Sequence, residues 1–186
     1  MTKVLFFILF FYILALFQTT FLVHLSIKGI TPNLILILVI LVNYFIPQQV
    51  FTKSFSKTQT RLGIFASFVG GFFLDIFSNH PFTISLLVLL CLSFLIRVTL
   101  KGLNKYNIFL FTVIFIGCIL FYDLFLNLLD SFWKMKGVGF IFFQWELGQL
   151  MLVKIIYNLF FGILGYFLFV KFPWAKLPLH FFSVKK

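Results

Sequence analysis

The sequence predicts an all-α integral membrane protein, a single domain (residues 1–186) folded as a six-helix transmembrane bundle. Three observations predict it. Hydrophobic residues make up 62% of the chain and charged residues 10%, where ordinary soluble domains carry about 25% charge. A soluble domain of about 150 residues buries only about 70% of its surface, so a chain of mean hydropathy +1.15 holds more apolar surface than such a fold could hide. Six apolar stretches approach the roughly 20 residues that a helix needs to cross about 30 Å of hydrocarbon. The 15 basic residues, against 4 acidic ones, stand singly between those stretches. A soluble enzyme, a disordered chain and a disulfide-stapled secreted domain are excluded. The net charge of +11 reads as membrane topology and calls for no nucleic-acid partner.

The first stretch, Val4–Val23, follows Lys3 but is too long for a signal-peptide core and ends in no small-x-small cleavage site. It reads as a retained anchor. The second, Leu34–Phe51, opens behind Pro32-Asn33. The third and fourth, Leu62–Phe77 and Phe82–Ile96, are short. The fourth reaches Leu100 if Arg97 extends its guanidinium to the headgroups. A re-entrant hairpin around Ser78-Asn79-His80-Pro81 is the alternative there, and its backbone would need burial in protein. Ile108–Leu129 and Leu147–Val170 complete the six.

The basic residues orient the bundle. With a cytoplasmic N-terminus, the inner segments hold Lys3, then Lys53, Lys57 and Arg61, then Arg97, Lys101 and Lys105, then Lys171, Lys176, Lys185 and Lys186. The outer segments hold only Lys28, Lys134 and Lys136. This positive-inside excess places both termini of a multi-pass membrane protein in the cytoplasm. Trp133, Trp145 and Trp174 fall at span ends, as an interfacial belt requires.

All four acids lean outward in this topology. Asp75 closes span 3, Asp130 follows span 5 and Glu146 precedes span 6. Asp123 lies about 9 Å below the outer end of span 5, and Lys154 about 10 Å below that of span 6, from the helical rise. An isolated charge in hydrocarbon is costly, so the two are expected to pair, directly or through Asn127 or Asn158. Asp123, Asn127 and Asp130 share one helix face, as do Lys154 and Asn158. This seam reads first as an interhelical clamp and second as a proton relay or outward-facing ligand site. On span 3, Gly63, Ser67 and Gly71 form a row with Ala66 and Gly70 beside it. Small residues so spaced let helices approach closely, within the chain or against a partner.

Recognised catalytic motifs are absent, and a lipid-modifying enzyme that uses the outer acids is a distant third reading. No CxxC, HExxH, Walker loop or dinucleotide fingerprint occurs. Cys91 and Cys118 read as small buried hydrophobes. His24, His80 and His180 are scattered, so no metal site and no cofactor is expected. No nucleophile has a base beside it, and the chain is not expected to be an enzyme.

Four short motifs, in order, resemble the bacterial rod shape-determining MreD family. Span 1 ends in Leu16-Phe17-Gln18-Thr19-Thr20. Thr31-Pro32-Asn33-Leu34 resembles the family's Pro-Asp-Leu opening of the second helix. Gly70-Gly71-Phe72-Phe73-Leu74-Asp75 resembles its Gly-x-x-x-Asp ending of the third, and Pro81-Phe82 follows. Asn33 departs from the usual Asp, and Thr83 stands where Gly is common. The likeness is best over Val4–Ile96. It implies a non-enzymatic subunit of the cell-elongation machinery that binds MreC, a single-span periplasmic protein. It also implies looser association with wall synthases and the shape-determining actin homologue, and a role in regulating peptidoglycan synthesis and cell shape. The small-residue face of span 3 is the candidate docking surface for that partner. The rival reading is the substrate-binding subunit of an energy-coupling-factor vitamin transporter, also six-span, which the MreD family is thought to resemble in fold. Fold therefore does not decide between them. Those subunits usually carry Ala-x-x-x-Ala on the first helix, where span 1 has only Ala15. Asn79, His80, Gln144 and Gln149 are also thin provision for a vitamin.

Overall fold

The computed structural model describes residues 2–45, 57–78, 83–100, 107–133 and 145–171. Among them are six α-helices and no strand: α1 (Thr2–Thr20), α2 (Leu34–Phe45), α3 (Lys57–Phe77), α4 (Ile84–Thr99), α5 (Ile108–Trp133) and α6 (Trp145–Lys171). Each expected stretch holds one helix. Helix α1 stops three residues before Val23, and the Thr19 and Thr20 hydroxyls bond back to carbonyls of its last turns. The chain then reverses at Ile27–Ile30 through Lys28 (φ 53°) and Gly29 (φ 77°). Positive φ at both central positions is what a type I′ turn requires. Helix α3 starts five residues earlier than expected, α4 takes in Arg97, and α5 runs four residues past Leu129. The expected reach of span 2 to Phe51 and the hairpin at Asn79–Pro81 lie outside the described residues.

Sequence decides which helix sits in the middle. Helix α2 reads LILILVILVNYF, apolar on all sides, and a helix without a polar face belongs in a core. It packs against each of the other five, and most of its residues are buried. Helices α1 and α3, α3 and α4, α4 and α5, and α5 and α6 pack side by side around it. At one end the core closes on aromatic rings, with Phe111 set 5.1 Å from Tyr44 and 4.8 Å from Tyr166 between ring centroids. The outward faces of the five surrounding helices are also apolar: Phe6 is 72% exposed, Phe94 71%, Phe109 74% and Ile156 66%. Among the described residues, two stretches are long and apolar enough to cross a membrane, Ile108–Leu129 and Leu150–Lys171, and four apolar helices are shorter.

The tightest contact joins α3 to α4. A methyl group on Gly71 would lie 2.4 Å from the Leu86 Cα, and backbone cannot swing aside as a side chain can. Gly71→Ala is therefore expected to destabilise by about 1–3 kcal/mol, as overpacking does. Thermal denaturation in detergent measures this, with Ile76→Ala on the exposed face of the same helix as the neutral control.

Candidate functional site

Three helix N-termini or polar positions meet at one end of the bundle, and each is held by a side chain from another helix. Asn33 caps α2, its Oδ1 accepting from Leu36 N–H at 3.0 Å, as an N-cap Asn does. Its own N–H donates to Asn158 Oδ1 of α6 at 2.7 Å. Ile35 N–H donates to Gln18 Oε1 of α1 at 3.3 Å. The free N–H groups at the start of α2 are thus shared among α1, α2 and α6. Pro32, buried just before the cap, lacks an N–H to satisfy.

Helix α4 has no cap of its own. Thr83 sits at φ 88° and makes no capping bond. Asp75, 4% exposed on the last turn of α3, supplies the cap instead. Its Oδ1 accepts from Ser85 N–H at 2.8 Å, and its Oδ2 from Thr83 N–H at 3.0 Å and Leu86 N–H at 3.1 Å. Gly71 and Asp75 are four residues apart, on one face of α3. Gly71 lets Leu86 come close, and Asp75 takes the amide of that same residue. The Gly-x-x-x-Asp spacing is one device, a close approach followed by a cap.

Asp123 of α5 and Lys154 of α6 meet directly, Nζ donating to Oδ1 at 2.5 Å. Asn158 joins the pair to the α2 cap, since its Nδ2 donates to the Lys154 carbonyl at 2.8 Å while its Oδ1 serves Asn33. Asn127, half-buried, makes no hydrogen bond among the described residues. The side chains of Asp130 and Glu146 lie outside them. Tyr157 donates to the Leu25 carbonyl at 2.7 Å, fastening α6 to the segment after α1.

The small-residue row of α3 faces inward. A methyl on Gly63 would meet Asn43 and Arg97, one on Gly70 would meet Val39, Ile35 and Phe11, and Gly71 lies on Leu86. Ser67 and Ala66 are fully buried. The chain's own α1, α2 and α4 occupy this face, so it is not an open docking surface. Sequence reasoning also missed what lies beneath it. Asn43 Nδ2 donates to the carbonyls of Val39 and Gly63 and to Ser67 Oγ, and Asn43 Oδ1 accepts from Ser93 Oγ at 2.7 Å. This buried knot ties α2, α3 and α4. Its signal was a lone Asn in an apolar run, which needs partners wherever water is absent. Cys118 is buried as expected, whereas Cys91 is exposed, because it shares the outward face of α4 with Leu87, Phe94 and Val98.

Above the caps lies a cavity of about 350 Å³. Phe73, Leu74 and Phe77 of α3 with Leu126 of α5 give it an apolar wall, and Gln18, Thr19, Asn33, Ser85, Tyr122 and Lys154 a polar one. The Tyr122 hydroxyl is within electrostatic reach of Ser85, Asn33, Asp123 and Asp75. The Ser85 hydroxyl is buried and has no hydrogen-bond partner. Among the described residues no group of His, Cys, Asp or Glu is placed to hold a metal ion, and both Asp75 oxygens are already engaged. The arrangement can hold helices and donate hydrogen bonds. No family model, curated protein or solved structure matches the chain.

Proposed function

We propose that the chain is a six-span inner-membrane protein of the MreD type, a non-enzymatic subunit of the bacterial cell-elongation machinery. In this reading it binds an MreC-like single-span periplasmic protein and helps regulate peptidoglycan synthesis and cell shape. The observation that carries the reading is the role of the residues behind the family likeness. Gln18, Asn33 and the Gly71–Asp75 pair all serve helix N-termini at one end of one bundle. Asn33 departs from the family's Asp, but a cap needs only an acceptor oxygen, and Asn33 provides one. The apolar outward faces support burial in lipid, since a water-exposed surface rarely carries such large contiguous apolar area. In this topology the capped end is periplasmic and both termini are cytoplasmic. Because the Gly63–Gly71 face is occupied, the partner meets the bundle on its outward helix faces or its capped rim.

Affinity purification of the full chain from its native membrane in a gentle detergent tests the reading. The expected result is recovery of a single-span, coiled-coil periplasmic protein, with wall synthases in weaker yield. Recovery of ATP-binding subunits with a bound vitamin would overturn it in favour of the transporter reading. Reporter fusions after Lys171 and at Lys28 should report cytoplasm and periplasm respectively.

A further inference from the structure

We propose that the cavity at the capped end is a binding site for a small uncharged sugar-like ring, free or as the headgroup of a glycosylated lipid. The volume, about 350 Å³, lies at the lower end of small-molecule pockets, about 300–1,000 Å³. The donor set then defines the chemistry. Gln18 spends its amide oxygen on the Ile35 N–H, which leaves its NH₂ as a donor, and Asn33, its oxygen on the Leu36 N–H, has its NH₂ beside the Tyr122 hydroxyl. Lys154 uses one of its three ammonium protons on Asp123. The Ser85 hydroxyl is buried at the cavity wall with no partner, a state that a bound acceptor would relieve. Acceptors are present too. Thr19 and Ser78 commit their hydroxyl protons to the carbonyls of Ala15 and Asp75 and offer only lone pairs.

Charge excludes an anion as the preferred ligand. Asp123 already neutralises Lys154, and the neighbouring Asp75 adds a negative charge held by the start of α4. Phe73 and Phe77 also line the cavity, an apolar surface for the C–H face of a ring. A ring with mixed hydroxyl or amide groups at its edge and C–H bonds on its face satisfies both walls. This inference rests on the cavity and not on the cell-elongation reading, so its failure leaves the partner experiment untouched.

Binding of methyl N-acetylglucosaminide to the purified full chain in detergent, and of a monoglucosyl diacylglycerol in nanodiscs, tests it by saturation-transfer NMR and calorimetry. Binding of the soluble probe assigns a free ligand, and binding of the glycolipid alone assigns a headgroup. Binding of neither overturns the proposal, as does tighter binding of glucuronate or inorganic phosphate. Ser85→Ala should weaken binding by about two- to tenfold, the worth of one hydrogen bond, without lowering thermal stability, since no bond is lost on folding. Leu126→Trp should fill the cavity and abolish binding. Undiminished binding in both variants also overturns the site.

Discussion

Lys154→Ala is expected to lower the unfolding free energy by about 3–5 kcal/mol, the range for stripping a buried charge of its partner. The burden falls on Asp123, which is 5% exposed in mid-helix and accepts no other hydrogen bond among the described residues. The damage should stay at the pair, because Asn158 bonds the Lys154 backbone carbonyl, which alanine keeps, and so still holds the Asn33 N–H. Asp123→Ala should be milder, about 1–3 kcal/mol. The Lys154 side chain is 33% exposed, and its flexible stem can carry the ammonium into the cavity it lines. The double variant should lie below the sum of the singles by at least about 1 kcal/mol, as for residues in contact. Reversible denaturation in mixed micelles measures all three. Additivity within about 0.5 kcal/mol would mean that the contact contributes nothing.

That pair is legible in the sequence for a simple reason. Two opposite charges at one depth on consecutive helices leave each other as the nearest partner, whatever the rest of the fold does. The six helices are legible in number and order for a similar reason, since long apolar runs broken by Pro, Gly and Lys leave little choice of where a helix lies, though helix ends shift by three to five residues in α1, α3 and α5. The small-residue row is half legible. Its spacing says that something comes close, and Gly71 needs that, but the same spacing serves the chain's own α4 and a foreign helix equally. The Asn43 knot is illegible because its partners, Ser67 and Ser93, stand 24 and 50 residues away on other helices. The cavity is hidden in the same way. Its polar lining is assembled one or two residues at a time from four helices and the cap of α2, so no single loop carries a dense polar signature. Asp75 is visible as part of a motif but not as a cap. Cap signals are sought in the residue just before a helix, and here that residue is Thr83, while the acceptor lies eight to eleven residues upstream of the amides it serves.

Removing that acceptor is the other large effect. Asp75→Ala should destabilise by about 2–5 kcal/mol, combining a lost cap with a lost buried charge-assisted bond. Ser85 N–H is the amide most harmed, since Ser85 is 1% exposed and water cannot replace the carboxylate there. Asp75→Asn keeps one acceptor oxygen. Placed at the Oδ2 position it serves Thr83 and Leu86 and abandons Ser85, so its loss should fall between wild type and Ala. Hydrogen exchange separates a local cap from a general weakening. The amide of Ser85 should exchange faster in Asp75→Asn than in wild type, while those of Val88 and Leu92, deeper in α4, keep their relative protection. Uniform acceleration along α4 would show that Asp75 acts on the whole bundle and not through this cap. Thr83→Gly offers an opposite sign at the same junction. A β-branched residue at φ 88° is strained, and relief should stabilise by about 1 kcal/mol in the wild-type background. In Asp75→Ala the gain should persist, because backbone strain at Thr83 and capping by Asp75 are separate contributions to one helix start. Gly71→Ala should behave differently. It pushes Leu86 away from α3, so combined with Asp75→Ala it should fall short of additivity, the cap having been weakened already by distance.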